Sequence, residues 1–571
     1  MSLKKELVTL LDNLASILEF KGDNPFKINA YRNGANIIRA IDDDLESIIK
    51  GGEIKNVKGL GKGLLQIINE YYEKGFSSEY NAVTSEVPVG ILDLLKINGL
   101  GAKKIKTLYT ELGINNLEDL ESACLDGQIA LVKGFGEKTQ ESILKEIERI
   151  NINRNLILQN IAQKRSAEIT DKLNKISSSI RIEITGENRR ANEVISKLEF
   201  LILISDKSLF EKELKESFEI KDTFEISKRI PTLPNFSSDA SGGFELNEYS
   251  DFPVIVYYTT SKSEFEILLF HTTGSEEFIK TLIKEDDIKG ETDENSFIGS
   301  TVGFIIPEMR EVNYFEAPAE LRNNSRLSIK DFKGLLHFHS NYSDGQNTIM
   351  EMSKSAEALG FEFAVICDHS KAAFYANGLN EERVLKQKEE IQSLRKSLGI
   401  KLFHGIECDI LKDGQLDYSE DFLKNFEFIV ASVHSSFKMT EDEMTKRIIT
   451  AIENPNTDLL GHPTGRLLLS RSAYNVNMQK VIDACASNNV ALEINANPFR
   501  LDLDWRLIYY AREKGCIFSI NPDAHSTEGI KDIVYGIRTA RKGGLQPEEV
   551  INCYEINDFR KFLKRKISRK V

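Results

Sequence analysis

The chain has 571 residues, of which 41% are hydrophobic and 28% charged, and its formal net charge is −14. That length exceeds what one hydrophobic core serves, so three or more domains are expected. The acidic balance excludes nucleic-acid binding through a broad basic surface, but leaves open a grip by backbone amides and a few local cations.

No stretch has the apolar length of a membrane span, and the N-terminus carries acidic residues in an amphipathic pattern unlike a signal peptide. Six cysteines (Cys124, Cys367, Cys408, Cys485, Cys516 and Cys553) are spaced singly, as reduced thiols would be. A cytoplasmic protein with no membrane partner is expected.

Residues 1–150 are helical in pattern and repeat one template, apolar-x-Gly-apolar-Gly, at spacings of 40 and 35 residues. The copies are Val57-Lys-Gly-Leu-Gly-Lys-Gly63, Ile97-Asn-Gly-Leu-Gly-Ala-Lys103 and Val132-Lys-Gly-Phe-Gly-Glu-Lys138, each followed by a helix-like run. The glycine pairs Gly59/Gly61, Gly99/Gly101 and Gly134/Gly136 let the turn approach another surface. The next helix then offers free N–H groups, with Lys62, Lys103 and Lys138 beside them. Such a device grips phosphate without reading sequence. It resembles the helix-hairpin-helix motif, which implies DNA as partner. These 150 residues hold 19 Lys/Arg against 23 Asp/Glu, so any grip is local.

Asn24-Pro-Phe-Lys-Ile-Asn-Ala-Tyr-Arg-Asn-Gly-Ala35 resembles the start of the small lyase domain of family X DNA polymerases. On that resemblance residues 1–90 form a lyase-like helical domain and 91–150 a fingers-like one. The family's Schiff-base lysine falls at Ile67, so lyase chemistry through an amine is not expected.

Residues 151–260 alternate apolar strands with polar helices, as a nucleotidyltransferase palm of α+β type would. Gly186, Arg189 and Arg190 match the family signature, but its serine position holds Glu187. By the same resemblance the three metal-binding carboxylates fall at Lys197, Glu199 and Ile255. Two-metal phosphoryl transfer needs clustered carboxylates, so a degenerate polymerase core without nucleotide addition is expected. A thumb-like region spans 261–320, with Thr273-Gly-Ser275 retained after His271-Thr272, and 321–332 reads as a polar linker.

From residue 333 the pattern becomes short apolar strands near 335–339, 363–367, 401–407, 428–433, 458–461, 490–495 and 516–521, with helices between most of them. Seven such units imply a parallel (β/α)7 barrel, whose chemistry sits at the C-terminal strand ends. Seven of the eight histidines lie in this region. His337, His339, Asp344, Asp368-His369, Glu407, His434, His462, Asp523 and His525 each fall at or just past a strand end. Imidazole and carboxylate without thiolate suit Zn²⁺, Mn²⁺ or Fe²⁺. Leaving Asp368 aside, nine ligands imply three ions, with Glu407 as the best-placed bridge.

These motifs, with Gly461-His-Pro-Thr-Gly-Arg466 and Glu493-Ile-Asn-Ala-Asn497, resemble the PHP (polymerase and histidinol phosphatase) domain. The domain order resembles bacterial family X polymerases that carry one (PolX). The resemblance implies one ion on His337, His339, Glu407 and Asp523, a second on Glu407, His434 and His462, and a third on Asp344, His369 and His525. Glu407, His434 and Asp523 are then the catalytic ligands, and Arg466 a phosphate contact, with Lys371 and Arg471 as weaker ones. Leu335 stands where the family has aspartate, and His404 lies outside the array.

The reading reached is a monomeric, nucleoid-associated DNA-repair nuclease. It would hydrolyse phosphodiesters at gapped, nicked or 3′-recessed ends as a 3′→5′ exonuclease, with AP-endonuclease or 3′-end processing as companion reactions. An active gap-filling polymerase and a histidinol-phosphatase-like phosphomonoesterase are the alternatives.

Overall fold

Apolar residues at helical spacing, among them Leu7, Leu10, Leu11, Leu14 and Leu18, bury one face of helix α1 (Leu3–Lys21). The helix stops at Gly22, whose φ of 81° and bonds back to Leu18 and Glu19 make a left-handed cap. Helix α2 (Pro25–Arg39) starts on a proline, where a missing N–H costs nothing. In this computed structural model the described residues are 3–39, 41, 45–97, 99–233, 240–249, 252–285 and 304–568. They divide into two compact units, Met1–Arg154 and Asn155–Val571. Asn98 of the second repeat and residues 286–303 of the expected thumb lie outside them. Among the described residues no helix is long and apolar enough to cross a membrane.

In the first unit the three repeats adopt one local conformation. Gly59, Gly99 and Gly134 have φ of 97°, 82° and 92°, and helices α3 (Lys62–Lys74), α4 (Ala102–Leu112) and α5 (Glu137–Asn153) begin directly after Gly61, Gly101 and Gly136. Ile67 is buried in the core of this unit.

The second unit contains a five-stranded mixed sheet and a seven-stranded parallel one. The mixed sheet comprises β1 (Ser179–Thr185), β2 (Leu198–Ile204), β3 (Ile220–Phe224), β4 (Ser241–Tyr249) and β5 (Phe252–Thr259), in the order β1-β2-β5-β4-β3. Its central pair, β2 and β5, is parallel and aligns Glu199 with Ile255. Helix α6 (Lys262–Thr273) packs against it.

The parallel sheet runs in sequence order through β6 (Gly334–Phe338), β7 (Phe363–Ile366), β8 (Lys401–Asp409), β9 (Phe428–Ser432), β10 (Leu459–Leu460), β11 (Ala491–Asn495) and β12 (Phe518–Asn521). Phe338 bridges Ala524 and the His339 N–H donates to the Ala524 carbonyl at 2.9 Å, nearly closing the barrel. Helix α7 (Ile533–Lys542) packs outside β12. The interior is filled by Leu336, Phe363, Val365, Phe403, Phe428 and Val430, with Phe559 of helix α8 (Ile556–Ser568) as its floor. The Phe559 ring stacks on Phe363 at 4.6 Å and meets Phe403 edge-on at 5.2 Å. Residues 321–332, expected as a polar linker, are docked instead. Leu327 is fully buried in the barrel's outer core, Ser325 bonds the Leu545 carbonyl, and Arg326 pairs with Glu548.

Because Phe559 is a fully buried aromatic at the centre of this floor, Phe559→Ala is expected to cost about 3–5 kcal/mol. The check is a denaturant titration followed through the fluorescence of Trp505, the chain's single tryptophan.

Candidate metal centre

A local irregularity in β6 aims the first two histidines. Three residue steps, Leu335 to Phe338, span two on β7, Ala364 to Ile366, so the strand carries a bulge. Leu336 therefore stays in the barrel interior while its neighbour His337 joins the mouth beside His339. Glu407 lies two residues before the end of β8, which runs on to Asp409 rather than stopping at 407 as expected, and it is 1% exposed. Five imidazoles surround its carboxylate: His337 and His339 at 3.5 Å, His369 at 3.0 Å, His434 at 3.2 Å and His462 at 2.9 Å. Asp523 lies 2.9 Å from His339, and Asp344 lies 3.2 Å from His525 and 3.6 Å from His369. Non-glycine residues in the left-handed region help to place two of these groups: His462 has φ of 23° and Asp523 of 52°.

All nine array residues thus meet at one mouth. By distance they form the groups His337/His339/Glu407/Asp523, His339/Asp344/His369/His525 and His369/Glu407/His434. The first matches the set implied by resemblance. The others differ because His339 and His369 sit between groups, and His462 joins only through Glu407.

The donor set suits metal on two counts. Among the described residues, His337 Nε2, His339 Nδ1, His369 Nδ1, His462 Nδ1 and Glu407 Oε2 are buried with no hydrogen-bond partner, a cost that folded proteins rarely carry several times in one place. The charge balance points the same way. Burial would raise the carboxyl of Glu407, yet His434, His369 and His337 hold it well below the ordinary range. Burial and the imidazoles of His525 and His369 push His339 down to about 4, the neutral form that ligates. Burial and the charge of Glu407 push the Cys367 thiol well up, so it offers no thiolate.

A surrounding layer escaped the sequence reading. Glu493 accepts from His337 Nδ1 at 2.7 Å and from the His462 N–H at 2.7 Å, and Asp409 holds His434 Nδ1 at 3.0 Å. Such partners fix ring orientation and tautomer. Asp409 was findable, since it lies two residues past Glu407 on the same side of a strand. Glu493 was findable as a charge inside an apolar strand. Asp368 plays a different part from the array: it accepts from Ser340 N at 2.8 Å, Ser343 N at 3.2 Å and Gln387 Nε2 at 2.5 Å, pinning the loop that carries Asp344.

The three cations considered as phosphate contacts are otherwise engaged. Arg466 donates to Asp504 at 2.5 Å and to the carbonyls of Arg500 and Leu501, so its guanidinium is taken up by that loop. Lys371 pairs with Glu381 at 2.5 Å, and Arg471 bonds the Gly465 carbonyl and lies over Phe437. The cation beside the cluster is Arg500, 3.7 Å from Asp523.

Profile comparison matches residues 336–497 to the PHP domain, 2–76 to a helix-hairpin-helix domain and 91–149 to a SAM-like helix-hairpin-helix tandem. A Bacillus subtilis (strain 168) protein named DNA polymerase/3′-5′ exonuclease PolX is 33% identical over 574 residues, 98% of this chain and 99% of that one. The chain belongs to the PolX family. A shorter stretch is similar to probable phosphatases of Thermoanaerobacter sp. (strain X514), 26% identical over 233 residues, and of Acetivibrio thermocellus, 27% over 233 residues. These matches span 38% and 39% of this chain and 89% and 91% of the relatives.

In this PolX chain the three palm positions do come together, without clustered carboxylates. Lys197 Nζ lies 2.8 Å from Glu199 Oε1, which also accepts from the Tyr257 hydroxyl at 2.9 Å. Ile255 packs in a hydrophobic cluster with Leu201 and Phe265. Glu187, at the signature serine's place, is held by the Ser196 N–H at 2.6 Å. Among the described residues no metal-ligating group of three forms on this sheet. Arg190 binds Glu311 at 2.8 Å and the Thr273 carbonyl at 2.9 Å.

The PolX hairpins carry a telling detail. Gly61, Gly101 and Gly136 have φ of −74°, −71° and −164°, which any residue adopts, and a Cβ there would meet nothing within 4 Å. The fold itself does not ask for glycine at these places. An approaching outside surface would. Lys62, Lys103 and Lys138 are exposed next to them.

His404, outside the array, is a packing residue: it faces Phe426 and its Nε2 lies 3.1 Å from Gln387, the residue that bonds Asp368. Burial, then the charges of Lys388 and Arg395, push its pKa down to about 3. The unfolded chain, with an ordinary value near 6.5, takes up that proton first. Stability is therefore whole above about pH 6.5 and declines as pH falls toward 3. His404→Gln should flatten this slope, read from unfolding midpoints between pH 4 and 7.

Proposed function

We propose that the barrel mouth is the catalytic centre of a metal-dependent phosphodiesterase that removes nucleotides from DNA 3′ ends in repair. The observation that carries this reading is the ring of five imidazoles around buried Glu407, with several inward lone pairs unsatisfied. The Bacillus subtilis relative, whose name includes a 3′-5′ exonuclease, supports it over nearly the whole chain.

The site would hold three divalent ions, Mn²⁺, Zn²⁺ or Fe²⁺: one on His337, His339, Glu407 and Asp523, one on Glu407, His434 and His462, and one on Asp344, His369 and His525. Such ions lower the pKa of a water and offset charge on the phosphate. The chain's own residues do the rest. Glu407 would be shared between two of the ions, Asp409 and Glu493 fix the rings of His434 and His337, and Arg500 would meet a non-bridging phosphate oxygen. Water attacks phosphorus, the bond to the 3′ oxygen of the preceding nucleotide breaks, and a nucleoside monophosphate leaves. AP-site cleavage and 3′-end trimming break the same kind of bond.

The hairpins would hold gapped, nicked or 3′-recessed DNA through the N–H groups that open α3, α4 and α5. The palm would not add nucleotides, because Lys197 and Ile255 leave Glu199 the one carboxylate of the three positions. The similarity to probable phosphatases favours a second reading, phosphomonoester hydrolysis at the same barrel. It gives the hairpins no purpose.

Incubation with a 3′-recessed duplex, Mn²⁺ and dNTPs should shorten the primer and never extend it. His337→Ala should slow shortening by at least about a hundredfold. Extension would overturn the inactive palm, and release of phosphate from monoesters without DNA shortening would favour the second reading. Gly101→Ser, whose Cβ meets nothing within 4 Å and whose hydroxyl suits the N-cap place that Gly101 holds, should weaken DNA binding about tenfold in a fluorescence-anisotropy titration while leaving the melting temperature unchanged.

A further inference from the structure

Arg500 is carried on a loop that the mixed-sheet region grips from outside. Glu193, from the segment just before β2, is 8% exposed. Its two carboxylate oxygens accept from Trp505 Nε1 at 3.0 Å and Arg506 Nη1 at 2.7 Å. Arg506 Nη1 also meets both Asp504 oxygens, at 3.0 and 3.1 Å. Asp504 in turn holds Arg466, whose other nitrogens donate to the main-chain carbonyls of Arg500 and Leu501. The chain of contacts ends at the guanidinium of Arg500, which lies 3.7 Å from Asp523 and makes no side-chain hydrogen bond among the described residues.

Two features show that this loop needs outside restraint. Leu501 has φ of 41°, a left-handed conformation that a branched side chain does not adopt unless held. The neighbouring grip is also ionic and enclosed. Lys542 of α7 is 1% exposed, lies over the Trp505 ring at 4.5 Å, and donates to the Arg190 carbonyl and Asn192 Oδ1, both at 2.9 Å. Burial would raise the carboxyl of Glu193, and Arg506 outweighs it, so the grip is between charges. Without the Glu193 charge, Arg506 has only Asp504 to pair with and draws it from Arg466. The carbonyls of Arg500 and Leu501 then lose their clamp.

We infer that Glu193 is a positioning residue for the barrel's phosphodiesterase centre: through Arg506, Asp504 and Arg466 it sets the place of Arg500 beside Asp523. The inference rests on the proposed function of the barrel. It gives the degenerate palm a task, that of a mount for the hydrolytic site.

The test is steady-state shortening of a 3′-recessed duplex by the full chain with Mn²⁺. Glu193→Gln keeps the shape and removes the charge, and is expected to lower kcat about tenfold with KM changed less than about twofold, since DNA is held elsewhere. In an Arg500→Ala background the same substitution should change kcat less than about twofold. An unchanged kcat, or an equal loss in both backgrounds, overturns the inference. Should Glu193→Gln fail to fold, Arg506→Met carries the same measurement from the half-exposed side of the pair, with the same outcomes deciding. A wild type that shortens no DNA overturns the phosphodiesterase reading and this inference with it. An active wild type with an indifferent Glu193→Gln overturns this inference alone.

Discussion

A carboxylate removed from water and encircled by five imidazoles demands that several distant strand ends arrive at one point. Glu407 is that carboxylate, and its ring is drawn from the ends of β6, β7, β9 and β10, with Asp523 following β12. Uncompensated, such a cluster would oppose folding, because buried charges and orphaned lone pairs are expensive. The barrel tolerates it by confining all of it to one end, above a floor of phenylalanines that supplies ordinary hydrophobic burial. Stability and chemistry are thus separated along the barrel axis, as in other parallel barrels.

Much of this was legible in the sequence because it depends on local pattern. The strand runs, the metal-type residues near the ends of six of them and the glycine repeats are short-range signals, and the structure has strands, cluster and turns at those places. The rest depended on partners remote in sequence. The bulge that aims His337 exists only in the pairing of β6 with β7. Arg466 reads as a phosphate contact until Asp504 and the Arg500 carbonyl appear around it. Asp368 looks like a ligand by position, and only its bonds to Ser340 and Ser343 show it tying down a loop. The stretch 321–332 is polar enough to read as a tether, yet Leu327 anchors it to the barrel.

The palm-like region shows how a sheet fills its buried positions without clustered carboxylates. Its sheet keeps a fully buried central strand, and the position opposite Glu199 is filled by Ile255, which adds apolar burial where a carboxylate would have cost solvation. Arg190, from the phosphate-binding signature that the resemblance supplies, spends its charge on Glu311.

The floor of the barrel has a consequence for the order of assembly. Helix α8 follows all seven strands in the chain, so Phe559 and Phe562 join the core after every strand has been synthesised. Until it arrives, the barrel's lower end is open and its phenylalanines face water. The helical unit of residues 1–154, with a core of its own, has no such dependence and can fold hundreds of residues earlier on the ribosome. The two units thus differ in when their cores can close: the first needs only its own 154 residues, and the barrel needs a helix that follows its last strand.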